Sequence, residues 1–196
     1  MLKKCFGILL LTCGLAGGTH AQFMHSLGGT VAVMHTTVGP DGYQNSLTFV
    51  YKDITYFPRY NVIENDNSSL SVGIPLGLGF GSASNISDGT SSLYFGFDAP
   101  LAIDFNFGAK STSNSDAGFG GYIGGGFGYR YSSFHISDYY GDASFKSNSY
   151  GPLARAGVRF GLGSSSNMGL TIGLYYKIGL ETEKYKTYGL NVLMDF

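Results

Sequence analysis

From Leu93 to Phe107 an apolar residue occupies every second position. Leu93, Phe95, Phe97, Ala99, Leu101, Ile103, Phe105 and Phe107 alternate with Tyr94, Gly96, Asp98, Pro100, Ala102, Asp104 and Asn106. A period of two marks a β-strand, because successive side chains on a strand point to opposite faces. The pattern recurs over 70–80, 119–131, 154–162, 170–180 and 188–196. A first strand is expected over 28–38. A long second one is expected over 46–63, bulged where the alternation slips between Lys52 and Pro58. The stretches 64–67, 82–91, 109–117, 134–149, 163–167 and 181–184 are rich in Ser, Asn, Asp or Gly and predict turns and loops. The count is eight antiparallel strands joined in simple up-and-down order, an all-β chain.

The composition decides which face is outside. Charged residues make up 13% of the chain, about half the usual share of a globular domain. A soluble barrel would present Lys and Glu on its wetted face. Here the face opposite the apolar one carries Gly, Ser, Tyr and a few charges. That suits a barrel with its apolar face toward lipid and its small polar residues in a narrow lumen. No apolar run after residue 21 is long enough for a spanning helix, so a membrane reading requires a closed barrel. The expectation is an eight-stranded antiparallel transmembrane β-barrel. Tyr94, Tyr122 and Tyr175 would point inward, with Asp98 and Asp104 facing Arg130, Arg155, Arg159 and Lys177 in a charge network. Pro75 and Pro100 lie inside two of these strands and lack ladder donors, so a bulge is expected at each. The net charge of -1 and the absence of a basic run exclude the usual footprint of a nucleic-acid binder.

Residues 1–21 read as a signal peptide. Lys3 and Lys4 precede an apolar stretch from Phe6 to Leu15, and Thr19-His20-Ala21 ends on a small residue before Gln22. The stretch is too short to anchor in a membrane. Cleavage there leaves residues 22–196 as the barrel and removes both cysteines, Cys5 and Cys13. A lipid-modified Cys13 is disfavoured because Thr12 precedes it, where a small residue is usual.

The last residues carry a resemblance. Phe196 is terminal, with Met194, Val192, Leu190 and Tyr188 at alternate positions before it. This resembles the C-terminal β-signal of bacterial outer-membrane barrels, which implies recognition by the outer-membrane barrel assembly machinery. Residues 22–196 as a whole resemble a small eight-stranded outer-membrane β-barrel, implying an outer-membrane location among outer-membrane lipids. The stretches Tyr56-Phe57-Pro58-Arg59-Tyr60-Asn61-Val62 and Ser69-Leu70-Ser71-Val72-Gly73-Ile74-Pro75-Leu76 look like barrels of Bacteroidetes-type bacteria. No peptidoglycan-binding domain is expected after Phe196.

Chemistry has one candidate. His135-Ile136-Ser137, with Asp138 and Asp142 nearby, is similar to the site of outer-membrane lipid A deacylases. The acidic partner of that family is a Glu further along, and no Glu occurs between Glu64 and Glu181. His25 reads as part of an N-terminal leader and His35 as a lumen or rim residue. No His pair has metal-ligand spacing, and no cofactor is expected. The Gly-rich run 118–128 lacks the Lys-Ser/Thr and helix of a phosphate loop. Asp41, Asp88 and Asp116 read as turn residues. The expected function is a structural or surface-interaction barrel with a closed lumen, whose loop 134–149 meets an extracellular ligand. The alternatives are a lipid hydrolase using His135 and Ser137, or a narrow pore.

Overall fold

The alternating segments pair edge to edge in chain order, and the last returns to the first. The computed structural model describes residues 22–38, 45–85, 90–138, 141–162, 168–181 and 185–196, so the signal peptide expected at 1–21 lies outside the described residues. Ten segments are strands: β1 (Phe23–Val38), β2 (Asn45–Asn65), β3 (Ser68–Gly73), β4 (Leu76–Asn85), β5 (Thr90–Asp98), β6 (Leu101–Gly108), β7 (Phe119–Asp138), β8 (Gly141–Gly161), β9 (Gly169–Ile178) and β10 (Lys186–Asp195). All pairings are antiparallel, and β1 bonds both β2 and β10. Segments β3 and β4 together pair β2, and β5 and β6 together pair β7. The ten segments are therefore eight staves of one closed barrel.

The register fixes its geometry. Met24 pairs Arg59, Arg59 pairs Gly73, Gly73 pairs Ala102 and Ala102 pairs Gly126. Gly126 then pairs Leu153, Leu153 Lys177, Lys177 Thr187, and Thr187 pairs Met34. One circuit from Met24 thus lands ten residues further along β1. A stagger of ten over eight staves tilts the strands by about 40° from the barrel axis and gives each residue about 2.5 Å of axial height.

The two interruptions explain how the wall accommodates proline. Gly73 pairs Ala102 and Gly77 pairs Asp98 on one unbroken register, which sets Pro75 opposite Pro100. The Ile74 amide donates to the Pro58 carbonyl at 3.2 Å, and the Ala99 amide to the Tyr129 carbonyl at 2.9 Å. Backbone groups alternate sides along a strand, so the nitrogens of Pro75 and Pro100 face each other. Both missing donors fall on a single rung. Neither expected bulge is present, because two prolines sharing one rung need no extra residue to keep the flanking ladder in register.

The apolar alternation faces out. Ile54, Ile123, Leu174 and Leu93 are each more than 60% exposed, while Asp53, Asp104, Arg130 and Arg159 are buried. Phe23, Phe107, Phe119, Phe160 and Phe196 ring the exterior at the end where β1 begins and β10 finishes. Phe80, Phe95, Tyr129 and Tyr150 ring it at the other. Aromatic girdles of this kind flank the apolar band of membrane barrels.

Other expectations need correction too. The second strand does not slip between Lys52 and Pro58: its register is continuous there, and the one irregularity falls between Asn61 and Ile63. Tyr51 and Phe57 point inward while Lys52 points out, which inverts the polarity used to read the phase. The described residues of 134–149 are paired strand rather than loop, because β7 and β8 stay paired from Asp138↔Gly141 down; β4 and β5 likewise extend into 82–91 up to Asn85↔Thr90. These extensions lack apolar contrast, so their alternation is invisible to hydropathy. The first strand begins at Phe23 rather than 28, and His25 belongs to it.

Candidate functional site

Inward positions on every stave bring the charged residues into two layers of the lumen. In the upper layer the Arg130 guanidinium grips Asp53 with its two terminal nitrogens, at 2.9 and 3.1 Å. It lies 3.6 Å from Asp98 and 3.4 Å from the centroid of the Tyr51 ring. Its Nε also donates to the Tyr94 hydroxyl at 2.9 Å. Glycine makes this possible: a Cβ at Gly79 would strike Asp53, and one at Gly96 would strike the Tyr94 hydroxyl.

The lower layer holds three arginines. Arg155 lies 3.4 Å from Asp104 and sits against the rings of Phe57 and Tyr122. Arg59 lies 3.8 Å from Asp195, whose other contacts are hydrogen bonds donated by Ser26 at 2.5 Å and by Thr171. Arg159 is fully buried and has no ion pair among the described residues; it donates to the Lys110 carbonyl at 3.3 Å and lies 4.9 Å from the Tyr122 ring centroid. Lys177 is buried, and its ammonium donates no hydrogen bond among the described residues. Between the layers lies a cavity of about 40 Å³, lined among others by Thr30, Thr55, Arg155, Lys177 and Asn191, space for ordered water and little else.

Both ends of the lumen are stopped. At the end where β1 begins the turn 109–118 folds into the mouth, entered through Gly108 and Lys110 with φ of +67° and +53°. Arg59 donates to the Lys110 carbonyl at 2.7 Å; Asn61 and Ser69 donate to that of Ser111 at 3.0 and 2.6 Å. Burial lowers the Lys110 ammonium below the usual lysine range, with Asp195 opposing that shift and Arg59 adding to it. At the other end Ala32, Met34, Tyr51, Tyr94 and Tyr185 form an apolar cap above Arg130.

Asp53, Arg59 and Asp195 escaped sequence reasoning. The first two share the inward phase of Tyr51, Thr55 and Phe57; allowing aromatics into the lumen would have exposed them. Asp195 hides inside the terminal apolar alternation.

The proposed hydrolytic residues lie elsewhere. His135 is on the exterior of the β7–β8 extension, four residues beyond Tyr131 and so about 10 Å above it along the axis. Its Nδ1 is 2.8 Å from the Ser144 hydroxyl, the residue paired across from it. The side chain of Ser137 lies outside the described ones. Among the described residues no group of three His, Cys, Asp or Glu is placed to hold a metal.

Tyr188, Leu190, Val192, Met194 and Phe196 all face outward from β10 and its end. Phe196 exchanges backbone hydrogen bonds with His25 at 3.0 and 3.3 Å, and their rings stack 6.0 Å apart. His35, also on the exterior of β1, lies 3.1 Å from the Thr48 hydroxyl near the opposite rim.

No family model and no curated protein matches the chain. Among solved structures it is similar to the attachment invasion locus protein Ail of Yersinia pestis in complex with a heparin analogue, at 15% identity and a TM-score of 0.46, covering 88% of this chain and 99% of that one. It is similar to Neisserial surface protein A at 13% identity and 0.48, covering 90% and 98%. The outer membrane protein OprG of Pseudomonas aeruginosa gives 14% and 0.47, covering 91% and 96%. At these scores the likeness assigns no role to this chain.

Proposed function

We propose that this protein is an integral outer-membrane β-barrel that serves as a closed, rigid anchor and displays the β7–β8 extension outside the cell. The observation that carries the reading is the polarity of the closed wall: buried Arg and Asp inside, exposed Ile, Leu and Phe between two aromatic girdles outside. Water would penalise that exterior and lipid would not. The role is contact rather than catalysis, with outer-membrane lipids around the wall and an extracellular ligand at the extension. Tyr188, Leu190, Val192, Met194 and Phe196 serve as the signal read by the assembly machinery. A Bacteroidetes-type origin is supported by the stretches 56–62 and 69–76 alone.

Gel mobility before and after boiling tests the reading, together with fractionation of the producing cells. The closed ladder should survive detergent at room temperature and migrate differently once boiled, and the protein should partition with outer membranes. Identical mobility in both lanes, or recovery in the soluble fraction, refutes the anchor.

A further inference from the structure

The barrel rim is uneven, and among the described residues the unevenness leaves a strand edge unpaired. β8 pairs β7 from Gly141 to Phe160, but pairs β9 only from Leu153 to Gly161. The chain beyond β9 gives one more rung, the Leu180 amide donating to the Tyr150 carbonyl at 2.9 Å. It then turns back, and the Gly179 amide closes onto the Tyr185 carbonyl at 2.6 Å. The Tyr150 amide is taken by the carboxylate of Glu181, which ends the ladder. Above that point the amides and carbonyls of Ser144, Lys146 and Asn148 point away from β7, following the alternation set by Tyr150. No described residue bonds them.

We infer that the edge of β8 from Ser144 to Asn148, unpaired among the described residues, binds an extended segment of an extracellular protein as an added antiparallel strand. The inference rests on the proposed display role and names its mode. Three features favour this occupant. The guest would continue the line that β9 already occupies on the same edge, so the register is set. The edge is stiffened from the side: Tyr129 donates to the Asn148 side chain at 2.9 Å, Ser144 contacts His135, and Ser147 donates to the Tyr185 hydroxyl at 3.2 Å. A preorganised edge costs less to fill. Exposed Lys146 stands at the middle of the edge and favours an acidic residue opposite. A lysine there also discourages indiscriminate pairing.

Amide hydrogen exchange on the refolded protein in micelles tests this, using as probe a short synthetic peptide of alternating Thr and Val with a central Glu. Without peptide, the amides of Ser144, Lys146 and Asn148 should exchange fast while those of Phe145, Ser147 and Ser149 are protected. Millimolar peptide should slow the first set by about tenfold or more, and a backbone N-methylated peptide should not. Lys146→Pro removes only an edge-facing amide, so it should keep the boiling-dependent gel shift and lose the response. The inference is overturned if the peptide leaves these amides fast, if they are already protected in dilute monomer, or if protection grows with protein concentration, which would mark a second copy as the occupant. Loss of the gel shift in the unsubstituted protein would instead refute the anchor.

Discussion

Replacing Arg130 by methionine should be the most damaging single change in the lumen. The guanidinium answers Asp53 through two hydrogen bonds, approaches Asp98 and covers the Tyr51 ring. Methionine keeps an unbranched apolar stem, stops short of the guanidinium position and leaves Asp53, 4% exposed, as a buried carboxylate without its cation. Removing one partner of a buried pair costs about 3–5 kcal/mol. We expect a loss near the middle of that range, about three powers of ten in the ratio of folded to unfolded protein. Adding Asp53→Asn neutralises the orphan in nearly the same shape, and about 2 kcal/mol should return. The measurement is reversible urea unfolding in lipid vesicles, followed by far-ultraviolet circular dichroism or gel shift, since the chain has no Trp to report by fluorescence. A cost of under about 1 kcal/mol for Arg130→Met, with no recovery in the double variant, would show that water screens the pair and that the lumen is wet.

Deleting Phe196 removes two backbone bonds to His25 and an aromatic of the lower girdle; outer-membrane levels should fall, and unchanged folded yield would detach the terminal pattern from assembly. Planar bilayers should show no steady channel steps, because the apolar cap and the turn 109–118 stop the lumen at both ends; regular openings from the monomer would restore the pore alternative. Gly126→Ala should destabilise the barrel by about 1–3 kcal/mol, since a Cβ there runs into the Leu101 carbonyl. Gly29→Ala meets nothing nearer than 3.8 Å and should be neutral in the same denaturation assay.

The fold was legible wherever one face meets lipid and the other packs. Leu93 to Phe107 revealed strand, facing and the inward Asp98 and Asp104 at once, because apolar contrast was complete. Legibility failed where that contrast does. In β2 the lumen accepts Tyr51 and Phe57, so Asp53 and Arg59 did not stand out as inward partners. Above the girdles both faces are polar, and paired strands there looked like the loop 134–149. The prolines were recognised as a difficulty, but sequence alone does not reveal that Pro75 and Pro100 share a rung, which depends on the register of two different hairpins. The unpaired stretch of β8 was equally hidden, since it depends on where the β8–β9 ladder stops among the described residues.

The closing seam has a kinetic consequence. β1 joins β10 along ten rungs, and Ser26 donates to Asp195 across 169 residues of chain. The first strand therefore has no partner on that side until the last one has emerged. Until the last strand is made, the chain carries two sticky margins that can satisfy each other only at the end. Contacts of such long sequence separation form slowly, and unpaired strands invite association with other chains. An incomplete chain keeps both margins unsatisfied, and the arrival of Phe196 opposite His25 is the event that closes them.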